Sequence, residues 1–259
     1  MENIKASILI ANFNSAKYID QCINSLKSQT YKNYEIIFFD DNSTDNSIET
    51  IKKYKDIKVI ENKKQTSHGS LNQINAYKTA YEQSSGDIFF FLDSDDYFRE
   101  NKLEKIIDSF SNNSNKKIIF DYPIIFNNEK FINIKKKIKF FKTYWPYIHP
   151  QSCISLRKTV ANDMFKSISY QKFTDVWMDF RICLFSKYIL KELNTINENL
   201  TFYRQTNTNI SSGFKKFSRN WWKRRKEAHS YLLNFAKDNN FEIKKNLDFF
   251  VTNIINFFI

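Results

Sequence analysis

Short apolar runs alternate with helical periodicities over the first 115 residues of the chain. Runs rich in Ile and Phe predict buried strands at 5–11, 34–39, 57–60 and 88–92. Apolar residues at helical spacing between these runs predict helices at about 19–29, 45–54 and 68–83. Strands that alternate with helices of this length form βαβ units, so this part predicts an α/β fold with a parallel sheet.

The pattern changes after about residue 115. Further strands or extended segments are expected at 118–126, 131–141, 189–196 and 200–204. Helical spacing of apolar residues predicts helices at 159–168, 176–186, 218–237 and 244–258. The chain therefore divides into an α/β half at 1–115, a second half at 116–212 and a helical extension at 213–259.

The composition is that of a folded protein with an excess of positive charge. Hydrophobic residues make up 42% of the chain and the formal net charge is +12, which suits an anionic small substrate, a nucleic acid or an anionic membrane. Cys22, Cys153 and Cys183 lie far apart and form no metal-binding pattern, which favours a reducing compartment. We find no signal peptide and no apolar run of the roughly 18 residues that span a membrane, so we expect a cytoplasmic protein.

Acidic residues follow two of the predicted strands. Asp93, Asp95 and Asp96 follow the fourth strand, and Asp41 follows the second. The carboxyl ends of parallel strands share one edge of the sheet, where α/β proteins bind ligands. Adjacent carboxylates repel unless a cation lies between them, and Mg²⁺ or Mn²⁺ binds through one or two carboxylates plus substrate phosphates. A solvated turn is the alternative for each acidic segment.

Two segments carry a resemblance to a known family. Segment 7–47, SILIANFNSAKYIDQCINSLKSQTYKNYEIIFFDDNSTDNS, and segment 84–96, SSGDIFFFLDSDD, resemble the opening of family 2 glycosyltransferases in order and spacing. The resemblance implies a GT-A fold, with a mostly parallel nucleotide-binding sheet flanked by helices. It places the nucleotide-sugar-binding half at 1–115, an acceptor-binding half at 116–212 and C-terminal helices at 213–259.

The resemblance implies roles for four residues that would bind the nucleotide. Ala11 and Phe13 stand where the family lines the pocket for the base, and Asp41 stands where it contacts the base. Asp93 stands where it meets the ribose. These four residues are the expected walls of the nucleotide site.

The resemblance also implies a metal-assisted diphosphate site. Asp95 stands where the family binds the Mn²⁺ or Mg²⁺ that bridges the diphosphate, and Asp96 is a second candidate ligand. Arg204 lies in LTFYRQ, which is similar to the family's Leu-x-x-Tyr-Arg segment, and is expected to meet the diphosphate. A surface ion pair is the alternative for Arg204.

The catalytic base is expected in TDVWMDFR, residues 174–181. Inverting transfer needs a carboxylate that takes the proton of the acceptor hydroxyl. The family places it in a Glu-Asp pair, and here Thr174 replaces the Glu while Asp175 remains, so Asp175 is the expected base. Asp179 is the alternative base. A helix cap at Asp175 and a salt bridge at Asp179 are the structural alternatives.

The implied activity is inverting transfer of a sugar from a nucleotide-diphosphate donor, with UDP favoured, to a hydroxyl of a glycan or glycolipid in bacterial surface polysaccharide synthesis. The QxxRW element of processive members is missing, which favours single additions. Two alternatives stay open. A nucleotidyltransferase that makes a nucleotide sugar would normally open with a Gly-rich loop, and a nucleic-acid-binding protein would show strongly salt-dependent affinity; we expect no nucleic acid.

A basic and aromatic segment precedes the last helices. Residues 213–226, GFKKFSRNWWKRRK, combine two Trp with several cations, a pattern of membrane interfaces. A solvated helix with one Trp in the core is the alternative. HPQS at 149–152 is a candidate part of the acceptor pocket, with His149 as a core or loop residue as the alternative. The expected location is therefore cytoplasmic and peripheral on the inner face of the cell membrane.

Overall fold

The structure, a computed structural model, describes residues 4–127, 130–133, 144–169, 171–205 and 213–259. Its strands are β1 (Ala6–Asn12), β2 (Tyr34–Asp40), β3 (Lys58–Glu61), β4 (Ile88–Asp93), β5 (Tyr97–Phe98), β6 (Ile118–Asn127), β7 (Lys130–Asn133), β8 (Ile154–Arg157) and β9 (Thr195–Arg204). Its α-helices are α1 (Ala16–Lys27), α2 (Ser47–Ile51), α3 (Gly69–Glu82), α4 (Lys102–Ser111), α5 (Lys158–Ile168), α6 (Met178–Leu184), α7 (Arg219–Asp238) and α8 (Leu247–Phe258).

One sheet runs through both halves of the chain. The strand order is β3-β2-β1-β4-β8-β6-β9-β5, and β7 pairs with β6. The first four strands in that order are mutually parallel, while β8 pairs antiparallel with both β4 and β6. The parallel α/β half predicted from the sequence is confirmed, and the second half continues the same sheet.

The central strands are mostly apolar on both sides because helices cover both faces of the sheet. In β4, Phe89 and Phe91 point into a core formed with α3, α5, α6 and α7. Phe90 and Leu92 point to the other face, into a core formed with α1 and α4. This burial on both sides explains the continuous hydrophobic run before the acidic segment.

Gly86 allows β4 to start against β1. A Cβ atom at this position would lie 2.5 Å from the Ser7 side chain and less than 3.0 Å from the backbone of both Lys5 and Ser7. The Gly86 N–H donates to Ser7 Oγ at 2.9 Å, and the next carboxylate, Asp87, accepts from the Lys5 N–H at 2.9 Å. The Gly-Asp pair therefore fixes where the strand begins.

A buried ion pair ties α4 to the second half of the sheet. Lys102 Nζ lies 2.9 Å from Asp121 Oδ1, and neither side chain is exposed. The same ammonium donates to the Ser152 carbonyl and to Thr201 Oγ1, each at 2.6 Å. These bonds satisfy the buried charge and hold the Ser152 turn against β6 and β9.

Beyond residue 115 the structure departs from the sequence prediction at 185–190 and at the start of the last helix. The helix expected at 176–186 continues as a π-helix over Phe185–Leu190, so the first residues of the segment expected to be extended at 189–196 are helical. Most of the strand expected at 131–141 lies outside the described residues. The last helix begins at Leu247 rather than 244, because the Asn246 side chain accepts from the Phe249 N–H and caps it.

The last two helices pack against each other. Arg225 of α7 donates to Asp248 of α8 at 2.6 and 2.9 Å, and Asn256 Nδ2 donates to the Trp222 carbonyl at 2.9 Å. Among the helices that the structure describes, none is long and apolar enough to cross a membrane.

Candidate active site

A cavity of about 1100 Å³ opens at the carboxyl ends of the parallel strands. Its walls come from both halves and from the C-terminal extension, because α3, α6 and α7 all border it. Of the residues predicted from the sequence, it is lined by Ala11, Phe13, Asp41, Asp93 and Asp95. The structure thus brings these five together, as the position of the strand ends requires.

Asp41 is held by two amide side chains after β2. Its Oδ1 accepts from Asn62 Nδ2 at 2.7 Å, and its Oδ2 accepts from Gln65 Nε2 at 2.9 Å. Nearby, the Phe13 side chain is 50% exposed on the cavity wall, where a planar ligand can stack on it. Asn62 and Gln65 were not identified from the sequence, because their partners lie 21 and 24 residues away.

Asp93 ends β4 and is oriented by α3. Its Oδ1 accepts from Tyr77 Oη at 2.7 Å and from Gln73 Nε2 at 3.0 Å. Its N–H donates to Ser152 Oγ at 3.0 Å. Tyr77 and Gln73 are four residues apart in α3 and so face the same side of that helix. Burial raises the pKa of Asp93, although these two hydrogen bonds oppose that effect.

Asp95 and Asp96 point to different places. Asp95 lines the cavity, whereas Asp96 is buried outside the cavity lining. Asp96 Oδ2 accepts from Ser152 Oγ at 2.5 Å, and its Oδ1 accepts from the Arg204 N–H at 2.8 Å. Both oxygens of Asp96 are thus used in joining the loop to β9, which does not support the predicted role of a metal ligand.

Arg204 contacts the acidic loop from outside the cavity. Its Nε donates to the Asp95 carbonyl at 2.8 Å and its guanidinium group donates to Gln21 Oε1 at 2.5 Å. The guanidinium carbon lies 4.4 Å from the centre of the Tyr18 ring. Arg204 therefore holds the loop that carries Asp95, and it is not among the residues that line the cavity.

The two candidate bases lie in different environments. Asp175 has an exposed side chain outside the cavity lining, and α7 holds its backbone: its N–H donates to Glu227 and its carbonyl accepts from Arg224. Asp179 lies on the first turn of α6 and lines the cavity. Burial raises the pKa of Asp179 to about 7, against a hydrogen bond from the Phe180 N–H and the nearby charge of Arg224.

Arg224 brings a cation to the cavity from the C-terminal extension. It is nearly buried, and its guanidinium carbon lies 4.0 Å from the Trp177 ring centre and 4.1 Å from that of Phe214. Burial lowers the pKa of Arg224 to about 10, so it remains charged at neutral pH. The sequence did not single out Arg224 because nothing local separates it from the cations around it.

The 149–152 segment contributes one unusual side chain. Pro150 and Gln151 line the cavity, while His149 stacks on Phe120 in the core with ring centres 4.8 Å apart. Burial lowers the pKa of His149 to about 4, and its Nδ1 lies 2.8 Å from the Asp121 carbonyl oxygen. Gln151 is buried, and neither atom of its amide has a hydrogen-bond partner among the described residues. Such an amide is expected to bond a ligand.

The acidic side of the cavity suits a divalent cation supplied with the substrate. Burial, and then the charge of Asp93, raises the pKa of Asp95 to about 7, so a cation here would relieve the crowding of like charges. In the described part of the chain, no group of three or more His, Cys, Asp or Glu is placed to hold a metal alone. The arrangement therefore fits Mg²⁺ or Mn²⁺ bound by one or two carboxylates together with phosphate oxygens.

The sequence model of Glycosyl transferase family 2 matches residues 7–180. The chain belongs to this family. The match spans strands β1 to β8, all five predicted residues that line the cavity, and Asp179. Neither the nucleotidyltransferase nor the nucleic-acid-binding alternative finds support in these comparisons.

Several relatives of this family 2 glycosyltransferase are bacterial glycosyltransferases. Over 229 residues it is 29% identical to the UDP-Glc:alpha-D-GlcNAc-diphosphoundecaprenol beta-1,3-glucosyltransferase WfgD of Escherichia coli, with 85% of each chain covered. It is 28% identical over 213 residues to the uncharacterized glycosyltransferase alr2836 of Nostoc sp., covering 78% of this chain and 65% of that protein. It therefore spans just under two thirds of the length of alr2836.

Solved structures share the fold. TarS 1–349 of S. aureus in complex with UDP-GlcNAc superimposes with a TM-score of 0.65 and 15% identity, over 98% of this chain and 70% of that one. At this identity the likeness establishes the fold, which is of the GT-A type.

Proposed function

We propose that this protein transfers a sugar from a UDP-sugar to a hydroxyl of a glycan or glycolipid, with inversion at the anomeric carbon. The observation that carries the proposal is the shared cavity, lined by Asp41, Asp93 and Asp95 of the first half and by Asp179 and Arg224 of the rest. A volume of about 1100 Å³ is slightly above the roughly 300–1,000 Å³ of small-molecule sites. The space suits a donor together with the reacting end of an acceptor.

The donor would lie along the strand ends. Asp41, fixed by two amide groups, would accept a hydrogen bond from the base, while Ala11 and Phe13 would pack against its ring. Asp93, fixed by Tyr77, would accept from a ribose hydroxyl. UDP is favoured because WfgD is named for UDP-Glc and the TarS structure contains UDP-GlcNAc.

Asp95 would hold the cation at the diphosphate. When bound, Mn²⁺ or Mg²⁺ offsets the negative charge that develops on the departing UDP. A mannosyltransferase of the same fold from Pyrobaculum calidifontis, with 12% identity and a TM-score of 0.54, contains GDP-Man and Mn²⁺. Arg204 would support this site indirectly by holding the Asp95 loop, and Arg224 is the cation that faces the cavity.

Asp179 would act as the base in place of the expected Asp175. The acceptor oxygen forms a bond to the anomeric carbon while the bond from that carbon to the diphosphate oxygen breaks. The hydroxyl proton passes to the Asp179 carboxylate, and the bonding electron pair leaves with UDP. A carboxyl group with a pKa of about 7 is well matched to this role at neutral pH.

The acceptor would enter from the second half and the C-terminal extension. We assign donor binding to 1–115, acceptor binding to 116–212 and membrane contact to segment 213–226 of the C-terminal extension, with the same bounds as in the sequence prediction. Part of the basic segment 213–226 lines the cavity. Five of its cations are exposed: Lys215, Lys216, Arg219, Lys223 and Lys226. These exposed cations suit a peripheral position on the cytoplasmic face of the membrane.

A nucleotide screen tests the proposal. The purified protein should be stabilised against heat by UDP in the presence of Mn²⁺ and should consume one or more UDP-sugars. Asp95→Asn should lose both effects, while the control Asp163→Asn, an exposed carboxylate on α5, should keep them. If no nucleotide or nucleotide sugar binds with or without Mn²⁺ or Mg²⁺, the proposal is wrong.

A further inference from the structure

The C-terminal helix α8 is amphipathic, but its polar face is turned towards the protein and its apolar face towards solvent. Its polar side chains face the protein: Asp248 bonds Arg225, Asn256 bonds the Trp222 carbonyl and Thr252 is fully buried. Six of its large apolar side chains face outward with 37–84% of their surface exposed, namely Leu247, Phe250, Val251, Ile254, Phe257 and Phe258. Water is a poor environment for so continuous an apolar surface, so this face is expected to have a partner.

The outward residues form one stripe. From Leu247 they follow at positions i+3, i+4, i+7, i+10 and i+11, which is a single side of an α-helix. The twelve residues of α8 span about 18 Å, too short to cross a bilayer but long enough to lie in its interface.

Cations flank this apolar stripe. Lys244 and Lys245 precede α8 and are exposed. On α7, Arg219, Lys223 and Lys226 are exposed at i, i+4 and i+7, beside the face that carries the contacts to α8. The only acid of α7 before Asp238, Glu227, is bonded to the Asp175 backbone. Two exposed acids, Asp238 and Glu242, lie at and after the end of α7, so the five exposed cations leave the rim of the stripe with a net positive charge.

This charge distribution selects the partner. A second copy of the chain would bring two positive rims together, whereas anionic lipid headgroups would attract and neutralise the cations of the rim. We infer that α8 inserts its apolar face into the interface of an anionic membrane, with the exposed cations of α7 and of 244–245 on the headgroups. The inference states how the protein would reach the peripheral location given under the proposed function. It rests on that function in one respect, the lipid nature of the acceptor.

Vesicle binding by the full chain tests the inference. The wild type should sediment with vesicles of equal parts phosphatidylglycerol and phosphatidylcholine, and less with phosphatidylcholine alone. Phe250→Ser combined with Ile254→Ser should lower the partition coefficient onto anionic vesicles by about tenfold or more, because two large apolar side chains leave the bilayer. The matched control Phe131→Ser with Leu193→Ser changes two exposed apolar residues elsewhere, and binding should not change.

Two further measurements separate the outcomes. Replacing Lys223 and Lys226 with Gln should weaken binding to anionic vesicles several-fold and reduce its salt dependence. Stabilisation by UDP with Mn²⁺ should be the same in the wild type and the Phe250/Ile254 variant, which shows that the variant is folded. If UDP binding is intact but neither vesicle type binds the wild type, or the variant binds equally well, the inference is wrong while the proposed function stands.

The oligomeric state provides a separate refutation. In sedimentation velocity without lipid, the wild type should be a monomer. A wild-type dimer that the Phe250→Ser and Ile254→Ser changes dissociate would show that the stripe is an interface between copies and would overturn the membrane assignment. Failure of the wild type to bind UDP would instead count against the proposed function.

Discussion

Replacing Asp179 with Asn separates the two candidate bases. The amide keeps the shape of the side chain but cannot take a proton, so the general-base contribution of 10²–10⁴-fold is lost. Transfer, measured as UDP release with a donor and acceptor from the screen, should therefore fall by about 10²–10⁴-fold, equivalent to about 3–5 kcal/mol in the activation barrier. Asp175→Asn removes a charge only four residues away, but at an exposed position, and should change the rate by less than about threefold.

The pH dependence of the transfer rate gives a second quantitative test of Asp179 as the base. The base must be deprotonated, and with a pKa of about 7 its ionised fraction rises from about one tenth at pH 6 to about nine tenths at pH 8. For the wild type, kcat/KM for the acceptor should therefore increase about tenfold over this range and level off above it when Mn²⁺ and donor are saturating, because the pKa of Asp95 is also about 7 and a bound cation keeps that carboxylate ionised. In Asp179→Asn the residual activity should lose this rise.

Stability shows whether a rate loss reflects misfolding. The pKa of Asp179 is raised above its usual value of 3.8, so the folded state resists ionisation of this group and loses stability as pH rises towards 7. The isosteric amide removes that cost, and Asp179→Asn should be as stable as the wild type or more stable at pH 8, by up to about 4 kcal/mol. Full activity in Asp179→Asn together with inactive Asp175→Asn would refute the assignment and restore Asp175 as the base.

Three further substitutions test the proposed metal ligand Asp95, the unpaired amide of Gln151 and the buried ion pair of Lys102. Asp95→Asn should abolish the Mn²⁺-dependent part of UDP stabilisation in a thermal-shift assay; retention of the Mn²⁺ effect would exclude Asp95 as a ligand. Gln151→Ala should lower kcat/KM roughly 5–30-fold, through one or two lost hydrogen bonds, and Gln151→Leu with unchanged kinetics would show that the amide meets no substrate. Lys102→Met should lower the free energy of unfolding by about 3–5 kcal/mol in urea titrations because Asp121 is left buried and unpaired, and adding Asp121→Leu should recover much of it.

The parallel half of the fold followed from the sequence because its signals are local. Each strand from β1 to β4 is a short apolar run, and each helix between them has its own periodicity, so neighbouring residues alone determine the pattern. The prediction failed where the outcome depends on distant contacts. Residues 185–190 form a π-helix whose end is fixed by Ser186 and Glu192, and no periodicity distinguishes that arrangement from a strand beginning at 189.

The acidic segment shows the same limit within the site. Asp93 ends β4 and Asp95 lies in the turn that follows, and both line the cavity, while Asp96 is buried. The local sequence does not reveal that Ser152 and Arg204 bond both oxygens of Asp96. Those partners lie 56 and 108 residues away, so only the folded chain shows that Asp96 joins the loop to the rest of the protein.

Helix α7 links the proposed chemistry to the proposed membrane surface. Trp221, Arg224 and Ala228, at i, i+3 and i+7, line the cavity. Trp222 and Arg225 hold α8, and Arg225 also lines the cavity. Helix α7 therefore contacts both the cavity and the polar face of α8, whose apolar face points away from the protein. An acceptor anchored by a lipid in the interface would have to extend past α8 and α7 to bring its sugar to Asp179, so α8 would act by placing the cavity at the height of the acceptor's sugar.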